Sequence, residues 1–403
     1  MNILFLTLSN VKTLNERGIY QDLLREFSKH DHNICIVSPS ERRYKEKTRI
    51  IEDQYSKILK VKIGNIQKTN TIEKGISTVL IESQFKSAMK KCFDDINFDL
   101  VIYSTPPITF AKVIEYIKKR DNAKTYLLLK DIFPQNAVDI GMMKKSGVIY
   151  KYFRGKEKKL YQLSDYIGCM SQANVDYILA HNPDTSRDKV HVSPNSIEPV
   201  DIITNKEIKS ETRKKYGIPT DSQVYIYGGN LGKPQDIAFV IECLKQIQDK
   251  KDKYFVICGT GTDYLKLESY ISQYAPTNVK LINGLPKNEY DELIRACDVG
   301  LIFLDKRFTI PNFPSRLLSY MENSMPTIAC TDSNTDIGKI IVEGDFGWWC
   351  ESDDASKFTN IINNIDDDRI EIKGKNARSY LEANYTVQKS YEIIMSKVKN
   401  ERV

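Results

Sequence analysis

At 403 residues, with 41% hydrophobic and 28% charged side chains, the chain has the composition of a soluble globular protein and exceeds the size of a single core. Eight cysteines scattered without a C-x-x-C pair argue against a disulfide scaffold and against a zinc ribbon, and they fit a reducing cytoplasm. A net charge of +6 is too modest to define a partner, so its distribution matters more than its size.

The first nine residues, Met1-Asn2-Ile3-Leu4-Phe5-Leu6-Thr7-Leu8-Ser9, are apolar but too short for a signal sequence and lack a cationic start; they read as a buried strand. No run approaches the ~20 apolar residues that span a bilayer. Short apolar runs then alternate with helical stretches, the pattern of parallel sheets covered by helices. Strands are expected at Ile3–Leu8, Ile34–Val37, Ile58–Ile63, Leu100–Tyr103, Thr125–Leu129 and Tyr166–Cys169, with helices near 16–29, 76–94, 107–120 and 172–181.

Met142–Leu163 has a different character. Basic residues from Lys144 to Lys159 interleave with Met142, Val148, Ile149, Tyr150, Tyr152, Phe153 and Tyr161. Such a helix suits an anionic membrane surface, or else packs its apolar side on its own domain. No nucleic-acid motif accompanies the charge, so nucleic acid is not an expected partner.

Two prolines and an Asn-Ser pair in Pro194–Pro199, followed by a charged stretch to Tyr216, place a hinge near 195–215. Domains are expected over 1–195 and 216–379. The second half restarts the alternation with strands at Val224–Tyr227, Tyr254–Cys258, Val279–Ile282, Val299–Leu304 and Thr327–Cys330. Helices follow near 234–248, 263–274, 287–297, 315–323 and 336–343. The acidic run Asp366-Asp367-Asp368 reads as a solvated turn. A last helix over about 376–400 (380–403 as a packing element) is expected to return to the first domain.

The strand ends of the second half carry the chemistry. Tyr227-Gly228-Gly229-Asn230-Leu231-Gly232-Lys233 and Asn312-Phe313-Pro314-Ser315-Arg316-Leu317-Leu318-Ser319-Tyr320 each follow a strand and open a helix, where free N–H groups suit an anion. Gly259-Thr260-Gly261 and Asn283-Gly284-Leu285-Pro286 share the same rim, beyond the carboxyl ends of the strands. Lys233 and Arg316 each follow a turn. A cation at a helix start opposes the helix dipole, so a bound diphosphate explains the pair better than solvated surface charge does.

The ordered series strand–G-G-N-x-G, strand–G-x-G, N-G-x-x-P, A-x-D-V-G-L and P-S-x-L-L-x-Y-M followed by P-T-I-A covers almost all of 220–345. It resembles the retaining glycosyltransferases of family 4, with the α/β GT-B fold of two facing Rossmann-like domains and a cleft between them. Arg17-Gly18-Ile19-Tyr20 and Lys130-Asp131-Ile132-Phe133-Pro134 extend the match into the first half. More narrowly, the chain looks like the bacterial O-antigen and capsule branch that includes L-fucosamine transferases. The resemblance implies a UDP-sugar donor, an N-acetylated sugar, a lipid-diphosphate-linked saccharide acceptor and work at the inner membrane face.

The resemblance also implies a site. Lys233, Arg316 and Asp131 are the catalytic candidates. Gly18, Gly229, Asn230, Gly232, Gly259, Gly261, Ser315 and Ser319 are the donor-binding candidates. An acidic residue at Asp131 orients an acceptor hydroxyl or steadies an oxocarbenium-like state; the competing reading is a turn aspartate before proline. Gly18 reads equally as a plain helix-start glycine, and Glu289 and Tyr290 read as packing residues. The family's two glutamates, with seven residues between them, are replaced here by Pro311 and Ser319. No second carboxylate offers itself as nucleophile, so front-face transfer is favoured over a covalent intermediate. The four histidines lack ligand spacing, and neither a metal nor a cofactor is expected. A UDP-sugar 2-epimerase and a non-catalytic nucleotide-sugar-binding subunit remain the alternatives.

Overall fold

The computed structural model describes residues 1–67, 69–203 and 205–399 and, within them, all side chains but those of residues 71, 72 and 74. The chain forms two compact units: Met1–Glu198 with the segment from Thr386 onward, and Pro199–Tyr385.

The first unit contains β1 (Asn2–Leu6), α1 (Ile19–Lys29), β2 (Asn33–Glu41), β3 (Arg49–Glu52), β4 (Ser56–Ile63), α2 (Thr71–Cys92) and β5 (Leu100–Ser104). It continues with α3 (Ala111–Asp121), β6 (Lys124–Leu129), α4 (Gln135–Asp139), α5 (Val148–Leu163), β7 (Tyr166–Cys169), α6 (Gln172–His181) and β8 (Val190–Val192). The sheet order is β3-β4-β2-β1-β5-β6-β7-β8, parallel except where β3 meets β4. Helices on both faces explain why Ile3–Leu6 and Leu100–Tyr103 are wholly buried and read as unbroken apolar runs. β3 escaped the sequence pattern because it is a four-residue edge strand with Arg49 and Glu52 at its ends.

The second unit begins with α7 (Lys206–Lys215), then β9 (Gln223–Asn230), α8 (Ile237–Gln246), β10 (Lys253–Thr260), α9 (Tyr264–Tyr274), β11 (Val279–Asn283) and α10 (Lys287–Arg295). It continues with β12 (Val299–Phe303), α11 (Arg316–Glu322), β13 (Thr327–Thr331), α12 (Ile337–Glu343), β14 (Gly347–Glu351), α13 (Ala355–Asn363) and α14 (Asp367–Asn384). Its six strands run β11-β10-β9-β12-β13-β14, all parallel.

Three expectations change. The charged stretch read as hinge is half helix: Asn205 caps α7 by accepting the Ile208 N–H, and Arg213 is buried against Asp298 at 2.6 Å. The acidic run is no free turn, because Asp366 caps α14 and Asp367 and Asp368 sit in its first turn, where negative charge suits the dipole. The single helix expected over 376–400 is two, α14 and α15 (Val387–Lys399), parted at Tyr385-Thr386; residues 400–403 lie outside the described residues. α15 packs on α1, with Tyr391 stacked on His30 at 4.0 Å and edge-on to Phe27 at 4.9 Å.

Apart from the antiparallel edge strand β3, each sheet reverses its strand order once, beside β1 in the first unit and beside β9 in the second. Ligands of open parallel sheets bind beyond the strand ends at that reversal. In the second unit the reversal is flanked by the end of β9, which holds Gly229, and by the segment after β12 that leads to Arg316 at the start of α11.

Candidate functional site

β9 and β12 pair only at Val299–Tyr225 and Gly300–Ile226, then part. Into the opening comes Tyr320, wholly buried, whose hydroxyl lies 3.2 Å from Ile226 O and 3.1 Å from Leu301 O. Gly300 leaves room for that ring, since a Cβ there would meet it at 2.4 Å. Above Tyr320, at the start of the same helix, Arg316 lays its guanidinium over the Tyr227 ring at 4.3 Å. Its Nη1 is buried with no hydrogen-bond partner, and no carboxylate lies within salt-bridge distance among the described residues. The Tyr290 hydroxyl fills the space that Gly228 leaves empty, 1.9 Å from where a Cβ would stand. A buried cation normally has an anion beside it. Here the face of Tyr227 supports the charge, an interaction of about 2 kcal/mol when desolvated, and one guanidinium nitrogen is left unsatisfied.

The glycine run is built differently from expectation. It does not open an α-helix: β9 continues through Gly229 and Asn230, paired with Gly259 and Thr260, and a short 3-10 turn at Lys233–Gln235 precedes α8. Leu231 N–H donates to Thr260 O at 2.9 Å and Gly232 N–H to Gln235 Oε1 at 3.4 Å. Two of the N–H groups expected to face an anion are therefore committed. What the glycines supply is close approach. A Cβ on Gly229, whose φ is +137°, would stand 2.8 Å from the Arg316 guanidinium. A Cβ on Gly259 would meet Gly229 O at 1.9 Å, and one on Gly261 would meet Leu231 O at 2.1 Å. Gly259→Ala is expected to cost about 1–3 kcal/mol of stability, because the obstacle is backbone; an unchanged thermal melt would contradict this account of the β9–β10 contact.

The other candidates of this unit are spread along the rim. Lys233 is exposed. Asn230 is exposed, its Nδ2 donating to Gln235 Oε1 at 2.7 Å, while its carbonyl accepts the Tyr227 hydroxyl at 2.7 Å. Ser315 is exposed at the start of α11, and Ser319 is half-buried one turn on. A carboxylate that sequence reasoning passed over, Asp332, follows β13. It accepts the Asn334 and Thr335 N–H groups and the Thr335 hydroxyl, all at 2.9 Å, and Thr335 Oγ1 accepts the Asn312 N–H at 3.1 Å. Asp332 thus pins the loop that leads to Arg316, and burial pushes its carboxyl up to about 6. Its sequence signal was its place immediately after a buried strand.

In the first unit, Lys130 and Asp131 follow β6, and the N–H groups of both donate to Thr105 Oγ1, after β5, at 3.0 and 3.2 Å. Asn136 Nδ2 donates to Asp131 at 2.7 Å. Burial pushes the Asp131 carboxyl up to about 6 against that hydrogen bond, and burial lowers the Lys130 amine to about 7. Among the described residues Lys130 Nζ reaches only Ser193 O, at 3.4 Å. Gly18 caps α1 in an extended conformation with φ 172°, its N–H donating to Asp22 Oδ1 at 3.0 Å. Nothing in its backbone requires glycine.

The profile of the family described as Glycosyl transferases group 1 matches residues 208–384, which take in this slot with Tyr227, Gly229 and Arg316. That segment is similar to the domain of the group 1 glycosyltransferases. Over 73% of the chain and 72% of the relative, the sequence is 24% identical to WbjE of Pseudomonas aeruginosa, named a probable glycosyltransferase. It is 21% identical, over 60% of each, to WcaI of Escherichia coli, a glycosyl transferase named for colanic acid biosynthesis. Among solved structures, Anabaena HepE, crystallised with UDP and glucose, superposes with a TM-score of 0.71 over 99% of this chain and 100% of that one, at 14% identity. The fold is GT-B.

Proposed function

We propose that this glycosyltransferase moves a sugar, N-acetylated, from a UDP-sugar to a lipid-diphosphate-linked saccharide during surface polysaccharide assembly. The work is done in the cytoplasm at the inner membrane face, with retention of configuration and without a metal. The observation that carries the reading is the unpartnered Nη1 of Arg316 at the reversal of the second sheet, with Gly229 cleared beside the guanidinium. When the bond between the sugar carbon and the β-phosphate oxygen breaks, negative charge gathers on the departing UDP. A preorganised cation lowers that barrier by about 2.7–4 kcal/mol. Lys233 is the second cation, closing on the diphosphate from the rim, with Ser315 and Asn230 as further phosphate contacts and Ser319 toward the ribose. Asp131 orients the acceptor hydroxyl. In front-face transfer the acceptor proton passes to the leaving phosphate oxygen while the new bond forms on the same face.

Support for UDP comes from its presence in HepE, and support for polysaccharide assembly from the name of WcaI. A mass-spectrometric screen of UDP-sugars against lipid-linked acceptors tests the reading. One donor should give an acceptor-dependent product with its anomeric configuration kept and with no loss of rate in EDTA. Donor epimerised without acceptor would replace this reading with the epimerase.

A further inference from the structure

Three helices of the first unit, α2, α3 and α5, lie side by side over its sheet. As crossovers of parallel strands they all run opposite to those strands, so their N-terminal turns share the end that bears the strand-end loops. At that end α2 exposes Ile76, Val79 and Leu80, and α5 exposes Val148, Ile149 and Tyr152; Val148 is 83% exposed and Val79 60%. Farther along the helices the surface turns basic. Lys86, Lys90 and Arg120 surround the Tyr116 ring at 5.2, 5.0 and 5.7 Å. Lys86 and Arg120, with Lys112 and Lys119, border a groove of about 530 Å³, in which Glu115 is the one acidic lining residue among the described residues. Lys86, Lys90 and Lys112 have no carboxylate partner there, unlike Lys119, which reaches Glu115 at 3.4 Å. Lys156 meets Glu82 and Lys159 meets Glu115, each at 3.8 Å, so the basic stretch of α5 is continuous with this groove.

We propose that this three-helix surface docks on an anionic phospholipid leaflet. The apolar turns of α2 and α5 enter the headgroup boundary and the groove around Tyr116 takes lipid phosphates. An exposed apolar band beside unpaired lysines is what an anionic interface rewards, through buried apolar area and attraction of each cation. The proposal rests on the lipid-linked acceptor of the reading above, and it adds α2 and α3 to the patch that the sequence placed on 142–163. No described helix is long and apolar enough to cross a membrane.

The test is sedimentation of the full chain with phosphatidylcholine vesicles, alone or with about a third phosphatidylglycerol, enough to set up the surface potential. The protein should pellet with the anionic vesicles only and be released by salt, sodium phosphate acting no better than chloride at equal ionic strength. The triple variant Lys86→Gln, Lys90→Gln, Lys112→Gln should bind about 100-fold more weakly, about fivefold per charge. Val79→Ser, Val148→Ser, Ile149→Ser should weaken binding at every salt concentration. Both variants should keep wild-type melting curves and wild-type transfer to a detergent-solubilised acceptor. Binding that ignores lipid charge, displacement by phosphate alone, or variants that pellet like wild type would each overturn the proposal. Vesicle binding intact in a protein that transfers no sugar would instead strike the acceptor reading and leave the surface standing.

Discussion

Arg316→Met is expected to lower kcat/KM for glycosyl transfer by about 100- to 1,000-fold, the range seen when one preorganised donor to a developing oxyanion is lost. UDP affinity should fall with it. Thermal stability should hold or rise, because the substitution removes a half-buried cation whose Nη1 has no partner and which no carboxylate among the described residues compensates. Opposite signs for activity and stability separate a ligand-facing arginine from a structural one. Arg316→Lys should recover only part of the rate, since a point charge cannot both stack on Tyr227 and fork toward a phosphate. Initial rates, a calorimetric UDP titration and a melt on the same preparations decide it. A variant that transfers and binds UDP like wild type, or one that melts far lower, would sink the assignment.

The second large effect is expected at Asp131. Asp131→Asn should abolish most transfer while stabilising the protein above pH 6. The sign follows from the carboxyl being raised from 3.8 to about 6 by burial. Its contribution to stability is fully present below about 3.8, where folded and unfolded chains are both protonated. That contribution is lost as pH rises through about 6, because the folded chain must then bury a charge. Asparagine removes that penalty, so its advantage in melting temperature should be greatest at pH 7–8 and vanish near pH 4. If the carboxylate is the working form, wild-type activity falls as pH drops through about 6. Asn136→Leu should move that limb upward, because the hydrogen bond it removes favours the charged form. An acid limb that stays put in Asn136→Leu, or full activity in Asp131→Asn, would refute the role.

Most of the two sheets was legible from residue pattern because their strands are buried on both faces. Tyr166–Cys169 and Gln172–His181 coincide with their elements to the residue. What escaped was the charged edge strand β3, the three-residue β8, and β14, a short stretch whose two tryptophans are half-buried. The slot was only half legible. Glycines at strand ends announced a close approach, but periodicity cannot say what approaches. It proved to be Arg316 at Gly229, Tyr290 at Gly228 and the backbone of β9 at Gly259. Tyr290 read as packing because its helix position gives no hint that its hydroxyl threads under a neighbouring strand. Lys130 stood within a quoted motif, yet its loss of charge preference comes from burial that no local pattern displays.

The placement of α15 bears on how the protein is made. The groove along α1 that takes Val387, Tyr391, Ile394 and Met395 belongs to the first unit, yet its filling is synthesised after the whole of the second. On the ribosome, Phe27 and its apolar neighbours wait uncovered through that interval, a natural site for a chaperone to hold. A fragment of the first 198 residues would carry the same bare stripe. Supplying 386–399 as a separate peptide, or grafting it directly after Glu198, is the route to a self-sufficient first unit.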